Sequence, residues 1–188
     1  MEENVTRRLR LGAVRFLMID IQERLLPSIH ANDAVVANSR RLLAAARLLD
    51  VPVFYTEQYP KGIGVTVGEL MKALPETAKR FEKTHFSCVD EPGFKDFLYD
   101  QDVQTVTVVW GTEAHICVLS TVMDMLDCGK RVAVVSDASC SRTRENRDMA
   151  MDAMRAAGAL VLPTETVVYQ LLGRSGTDAF KAMLPFFK

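Results

Sequence analysis

A chain of 188 residues, 48% hydrophobic and 25% charged, is long enough to bury a core without disulfides or a structural metal, and its composition is that of an ordinary soluble globular protein. Its 23 basic and 24 acidic side chains leave a formal net charge of −1, which gives no reason to expect nucleic acid or an anionic membrane as partner. No run approaches the roughly 20 apolar residues needed to span a bilayer, and no linker or repeat divides the chain, so residues 1–188 read as one domain.

The first ten residues are polar, with Arg7, Arg8 and Arg10 read as a solvated terminal segment. The apolar stretch LGAVRFLMI that follows is nine residues long and interrupted by Arg15, so it does not read as a secretory signal. Within it, 14–19 predicts a first strand. Residues 32–49 predict a helix with Val35, Val36, Leu42, Leu43, Ala46 and Leu49 at its apolar positions. The second strand is expected at 51–56, with Pro52 near its start, where a missing donor is tolerated. A third strand is expected near 78–83 and a helix over 93–98. The clearest strands are 103–110 and 131–137. Between them, 113–126 predicts a helix with a broad buried face, closed by Gly129 as a left-handed cap residue. A further helix over 144–157 ends at Gly158 and leads to a last strand at 159–162. Thr164 is the expected N-cap of a helix through Leu172, and a short helical segment over 177–188 ends the chain.

Six apolar strands alternating with amphipathic helices predict an α/β fold, a three-layer α/β/α sandwich with a mainly parallel six-stranded sheet of Rossmann-like type. Right-handed crossovers put the C-terminal ends of all parallel strands on one edge, and ligands bind in the crevice there. Chemistry is therefore sought just after strands.

Three residues meet that condition. Asp20 follows the first strand, where a buried acid needs a charged or hydrogen-bonding partner; a turn or capping role is the alternative. Lys83 follows the third strand, where a solvated loop lysine is the default reading and an inward reach from its loop across two strand spacings is the functional one. Cys117 lies near a helix start after the fourth strand, where free N–H groups can lower a thiol's pKa; a buried filler is the alternative. Cys128 and Cys140 occupy no such place. As a set, an acid, an ammonium and a thiol supply a base, a countercharge and a nucleophile.

On the segments LMIDIQ, KTHFS and WGTEAHICVLSTVMDMLDCGKRVAVVSDAS, the chain resembles the isochorismatase-like cysteine hydrolase superfamily over nearly its whole length. Gly111, Cys117, Val118, Thr121, Gly129, Asp137 and Ala138 stand at the family's spacing. YTEQYPKGIGVTVGEL and CSRTRENRDMAMDAMRAAGA are more similar to its isochorismatase domain-containing branch than to nicotinamidases. The resemblance implies Asp20 as general base, Lys83 as stabiliser and Cys117 as nucleophile in the hydrolysis of a small amide or related C–N bond through a thioester. It also implies a cis peptide at Thr112–Glu113 that aims the Glu113 N–H beside that of Cys117 as an oxyanion hole. Gln22 matches a family position near the site, suited to orienting Asp20 or the substrate.

Nicotinamidases hold a metal with an Asp and two His after the second strand. Here that segment reads FYTEQYPKG, with no histidine between His30 and His85, so no metal and no other cofactor is expected. Glu57, Gln58, Tyr59, His85, Phe86 and His115 become candidate substrate-binding residues by position, with a surface role equally open for His115. The partner expected is a small-molecule substrate. The family tendency to assemble implies a homo-oligomer, although Phe180, Met183, Phe186 and Phe187 can instead dock on their own sheet. The four cysteines, without a C-x-x-C pair or an export signal, fit a reducing cytoplasm. Two other readings stay open: an isochorismatase-type enol ether hydrolase, and a binding or assembly module with incidental catalysis.

Overall fold

The computed structural model describes residues 8–99 and 105–188. The first two expected strand positions at 103–104, and Arg7 of the basic cluster, lie outside them.

Six strands form one parallel sheet: β1 (Val14–Ile19), β2 (Val53–Gln58), β3 (Lys79–Lys83), β4 (Val106–Gly111), β5 (Arg131–Val135) and β6 (Leu160–Leu162), in the order β3-β2-β1-β4-β5-β6. β1, β2 and β4 are buried on both faces and β5 nearly so, and alternate residues enter two separate cores. Phe16, Met18, Val53, Tyr55, Val108 and Trp110 join a core that includes residues of α1 (Asn32–Leu49), α7 (Thr164–Leu172) and α8 (Asp178–Met183). Leu17, Ile19, Phe54, Val109, Val132 and Val134 join another with α4 (Phe94–Leu98), α5 (Leu119–Asp127) and α6 (Arg144–Ala156). The expected three layers follow. Among the described residues no helix is long and apolar enough to cross a membrane.

The chain runs outward from β1 through β2 to β3, then returns to the other side of β1 with β4. This reversal opens a crevice at the C-terminal ends of β1 and β4. The two strands approach so closely there that a Cβ on Gly111 would lie 2.0 Å from the Ile19 carbonyl oxygen, and Gly111 has φ +141°. Only glycine fits that contact.

The second strand starts and ends two residues later than expected. The Phe16 N–H bonds the Pro52 carbonyl at 2.9 Å, and the regular strand begins only after that proline. Glu57 and Gln58 thereby become buried strand residues. The helix after β4 opens with a wide π-helical turn, Ala114–Val118, before α5 begins. Thr164 is not an N-cap but the first residue of α7. Its N–H and hydroxyl both donate to Asp137 Oδ1 at 2.7 Å, so a carboxylate from beyond β5 caps the helix in its place. Two short helices the periodicity does not signal, α2 (Pro60–Ile63) and α3 (Gly68–Ala73), carry the chain from β2 towards β3.

Candidate active site

Asp20 follows β1 in the left-handed region, at φ 51°, a conformation Asp tolerates better than most residues. Its N–H reaches the Thr56 carbonyl at 3.2 Å, and its carbonyl accepts from the Thr112 hydroxyl at 2.6 Å and the Gln22 N–H at 3.1 Å. This turn is tied to both neighbouring strands. The side chain is fully buried: Oδ1 accepts from Thr56 Oγ1 at 2.6 Å, and Oδ2 lies 2.7 Å from Lys83 Nζ.

Lys83 is the last residue of β3 and the one buried residue on that edge strand, whose other residues are Lys79, Arg80, Phe81 and Glu82. It does not reach in from a loop: the register sets it beside Gln58, and its side chain crosses β2 to Asp20. Nζ also donates to Gln58 Oε1 at 2.5 Å and to the carbonyls of His85 (3.2 Å) and Phe86 (3.3 Å). Burial works against the ammonium, but the Asp20 carboxylate, by charge and hydrogen bond, is the chief opposing influence, and Lys83 is held above the ordinary lysine range.

Cys117 sits in the π-helical turn, 6% exposed, close enough to Asp20 and Lys83 for both to act on its thiol. The expected lowering of its pKa by a helix start does not occur. Burial and then the facing Asp20 carboxylate push the thiol up to about 12, against the pull of Lys83. At rest the cluster is carboxylate, ammonium and neutral thiol. Several nearby amides are already committed: Ala114 N–H to the Cys140 carbonyl, and those of Ile116 and Val118 to the Glu113 carbonyl. The Thr112–Glu113 peptide is cis. The Glu113 carboxylate is gripped by Arg142 through Nε at 2.9 Å and Nη2 at 3.1 Å.

The remaining expected residues divide by what they touch. The Gln22 amide is committed to backbone rather than to Asp20: it accepts from Gln58 N–H at 2.7 Å and donates to the carbonyls of Gln58 (3.0 Å) and Gly64 (2.6 Å). Glu57 is buried, accepting from Thr66 N–H at 2.7 Å and pairing with Arg80 at 3.1 Å. Gln58 reaches Lys83 directly. Tyr59 and Phe86 are 54% and 62% exposed and adjoin Lys83 through their backbones, since Tyr59 N–H donates to the Lys83 carbonyl at 2.8 Å. His85 is held by Glu91, whose carboxylate accepts from the N–H groups of Thr84 (2.7 Å) and His85 (2.9 Å) and meets the ring at 2.8 Å. His115 is half-buried, its Nδ1 2.9 Å from Ser141 Oγ. Among the described residues no group of three or more His, Cys, Asp and Glu side chains is arranged to hold a metal ion.

Thr56, Cys88 and Arg142 were not anticipated. Thr56 ends the expected second strand, so the condition that selected Asp20 applied to it as well; a lone threonine simply carries little chemical signal.

The family model described as the isochorismatase domain matches residues 15–166. The chain is 38% identical to isochorismatase domain-containing protein 2 of Xenopus laevis, over 90% of this chain and 80% of that one. Among solved structures it is similar to the MAR1 ribonuclease from Caenorhabditis elegans, at 36% identity and TM-score 0.88, covering 96% of this chain and 92% of that one. It is also similar to YcaC from Pseudomonas aeruginosa with hexane-2,5-diol and covalent acrylamide, at 25% identity and TM-score 0.87, covering 96% and 91%.

Proposed function

The chain belongs to the isochorismatase family, and from that premise we propose that it is a cysteine hydrolase cleaving a small amide or related C–N bond, with Cys117 as nucleophile, Asp20 as general base and Lys83 as the stabilising cation. The observation that carries this reading is the buried meeting of the three groups: a 2.7 Å Asp20–Lys83 ion pair whose two charges both act on the buried Cys117 thiol. The covalent acrylamide of the Pseudomonas relative supports nucleophilic chemistry in proteins of this fold.

The resting protonation states fix the order of events. Free thiolate is scarce with the thiol at about 12, so the proton leaves for Asp20 as sulfur attacks the carbonyl carbon. The S–H bond gives way to an S–C bond, the carboxylate becomes an acid and the negative charge passes to the former carbonyl oxygen, so the site keeps its net charge beside an unchanged ammonium. The N–H groups of Glu113 and Cys117 receive the developing oxyanion. As the C–N bond breaks, Asp20 returns its proton to the leaving amine. Water, deprotonated by Asp20, then attacks the thioester, releasing the carboxylic acid and restoring the thiol. Lys83 stays protonated throughout.

Turnover of a panel of small amides by the wild-type protein, and its loss in Cys117→Ala and Cys117→Ser variants that remain folded, is the expected result. Full activity of the Ala variant on a confirmed substrate contradicts the mechanism. Isochorismate and RNA belong in the same panel: the first distinguishes enol ether hydrolysis, and the second tests the activity named for the nematode relative.

The reading includes self-association. Leu48 and Phe186 are 40% and 41% exposed and line one groove with Ala44, Ala73 and Ala182 beside the charged Arg40, Arg47, Glu69 and Lys72, a mixed surface on which a second copy could pack.

A further inference from the structure

The turn that carries Cys117 is built against one segment beyond β5. Ala114 donates its N–H to the Cys140 carbonyl at 2.8 Å, and the His115 N–H reaches Ser141 Oγ at 3.3 Å. On the other side of the turn, the Thr112 hydroxyl holds the Asp20 carbonyl at 2.6 Å. The next residue of that segment, Arg142, meets the Glu113 carboxylate through Nε to Oε1 at 2.9 Å and through Nη2 to Oε2 at 3.1 Å. Glu113 is 5% exposed, and among the described residues Arg142 is the one cation paired with it.

Such a pair can place the turn or balance its charge, and the contacts favour the second role. The turn is already fixed on both sides of Glu113 by bonds in which Arg142 has no part. What Arg142 adds is a positive charge against a buried negative one. Covalent reach keeps a glutamate carboxylate within roughly 6 Å of its own N–H. Water screens a buried carboxylate poorly, so left unpaired it acts strongly on any charge that develops at that N–H. In the proposed reaction the Glu113 N–H receives the oxyanion, and a like charge at that distance opposes it.

We propose that Arg142 is a positioning residue for the oxyanion site: acting through Glu113, it keeps that carboxylate paired, so that negative charge gathers at the Glu113 and Cys117 N–H groups without an uncompensated anion beside them. The inference rests on the reading of Cys117 as nucleophile and of those two N–H groups as the oxyanion's donors. Loss of Arg142 is then felt in the step that builds charge on oxygen, and it is relieved by taking the charge off Glu113. A packing role produces neither effect.

The test sets hydrolysis of the panel amide that the wild-type protein turns over fastest against alkylation of Cys117 by iodoacetamide, read by peptide mass spectrometry. Arg142→Ala lowers kcat by roughly 10- to 100-fold with KM within about twofold, the pattern of an interaction made in the transition state. Alkylation puts no charge on a carbonyl oxygen, so it slows by no more than about threefold. Adding Glu113→Gln to Arg142→Ala restores most of the lost kcat, as coupling between the two side chains requires. Arg142→Lys, which keeps the charge without the two-pronged grip, also retains most of it. Arg142→Gln supplies the comparison where the alanine variant does not fold. Wild-type kcat in the neutral variant, an equal fall in hydrolysis and alkylation, or a double variant no better than the single one overturns the inference. Cys117→Ala keeps the two readings apart. If it is inactive while Arg142→Ala matches wild type, only this inference fails; if it still hydrolyses the amide, or if wild type hydrolyses none, the nucleophile assignment fails and this inference with it.

Discussion

Asp20 and Lys83 are fully buried charges whose cost is met by each other and by hydroxyl, amide and carbonyl partners. Neutralising one leaves the other stranded. Asp20→Asn is expected to lower turnover by roughly 10²- to 10⁴-fold. It is also expected to reduce folding stability by about 3–5 kcal/mol, read from urea unfolding, because the Lys83 ammonium loses its countercharge. A second titration belongs to Glu91, which accepts from Thr84 and His85 and so fixes the loop whose carbonyls hold Lys83. Its desolvation opposes ionisation, but those backbone and ring bonds lower the carboxyl from 4.5 to about 2. A depressed carboxylate stabilises above its unfolded value, and that contribution is lost as pH falls through the folded one. Amide exchange at Thr84 and His85 should therefore accelerate as pH drops from about 4.5 to 2, after correction for intrinsic rates, and Glu91→Gln should abolish the extra protection at neutral pH. At this scale the sequence exposed Asp20, Lys83 and Cys117, because acids, lysines and thiols at strand ends are rare enough to notice. It concealed Thr56, whose hydroxyl meets Asp20 Oδ1 only once β1 and β2 are paired. It also could not show that the Gln22 amide is consumed by backbone.

Each element places its last residue, and small shifts in its ends decide what that residue can do. Moving the second strand by two positions turned Glu57 and Gln58 from loop candidates into buried residues: Glu57 ties down the Thr66 backbone, and Gln58 bonds Lys83. Hydrophobic alternation locates a strand's middle well and its ends poorly, since Pro52 accepts a bond from Phe16 while lying before the regular ladder. The turn after β4 was legible as helix from its apolar spacing, but its π-helical width was not, because it follows from how Glu113 and Cys140 take up the first amides. The contact of Gly111 with Ile19 gives the clearest element-scale expectation. A methyl at Gly111 must displace backbone between the two central strands, so Gly111→Ala should destabilise the protein by more than about 3 kcal/mol, lowering Tm by several degrees at least. A variant with unchanged Tm would show that β1 and β4 can part without cost.

The whole molecule is a scaffold that brings three strand ends to one crevice. Strand–helix alternation and apolar strands made the parallel three-layer fold readable before any coordinates, and the order β3-β2-β1-β4-β5-β6 puts β1 and β4 at the point of reversal. Strand order is set by long-range packing that no local pattern encodes, so the distance from Lys83 to Asp20 emerged only from the assembled sheet. Assembly into oligomers is tested at this scale by light scattering, with a mass well above 21.0 kDa expected and a monomer at micromolar concentration contradicting it. The measurement that reaches the central claim most directly is acid-quenching of the protein during turnover of an amide substrate, followed by peptide mapping. The account expects the substrate's acyl group, without its amine, on the peptide carrying Cys117, and no turnover by Cys117→Ala. Steady turnover with an unmodified Cys117 peptide, undiminished in the Ala variant, would contradict it.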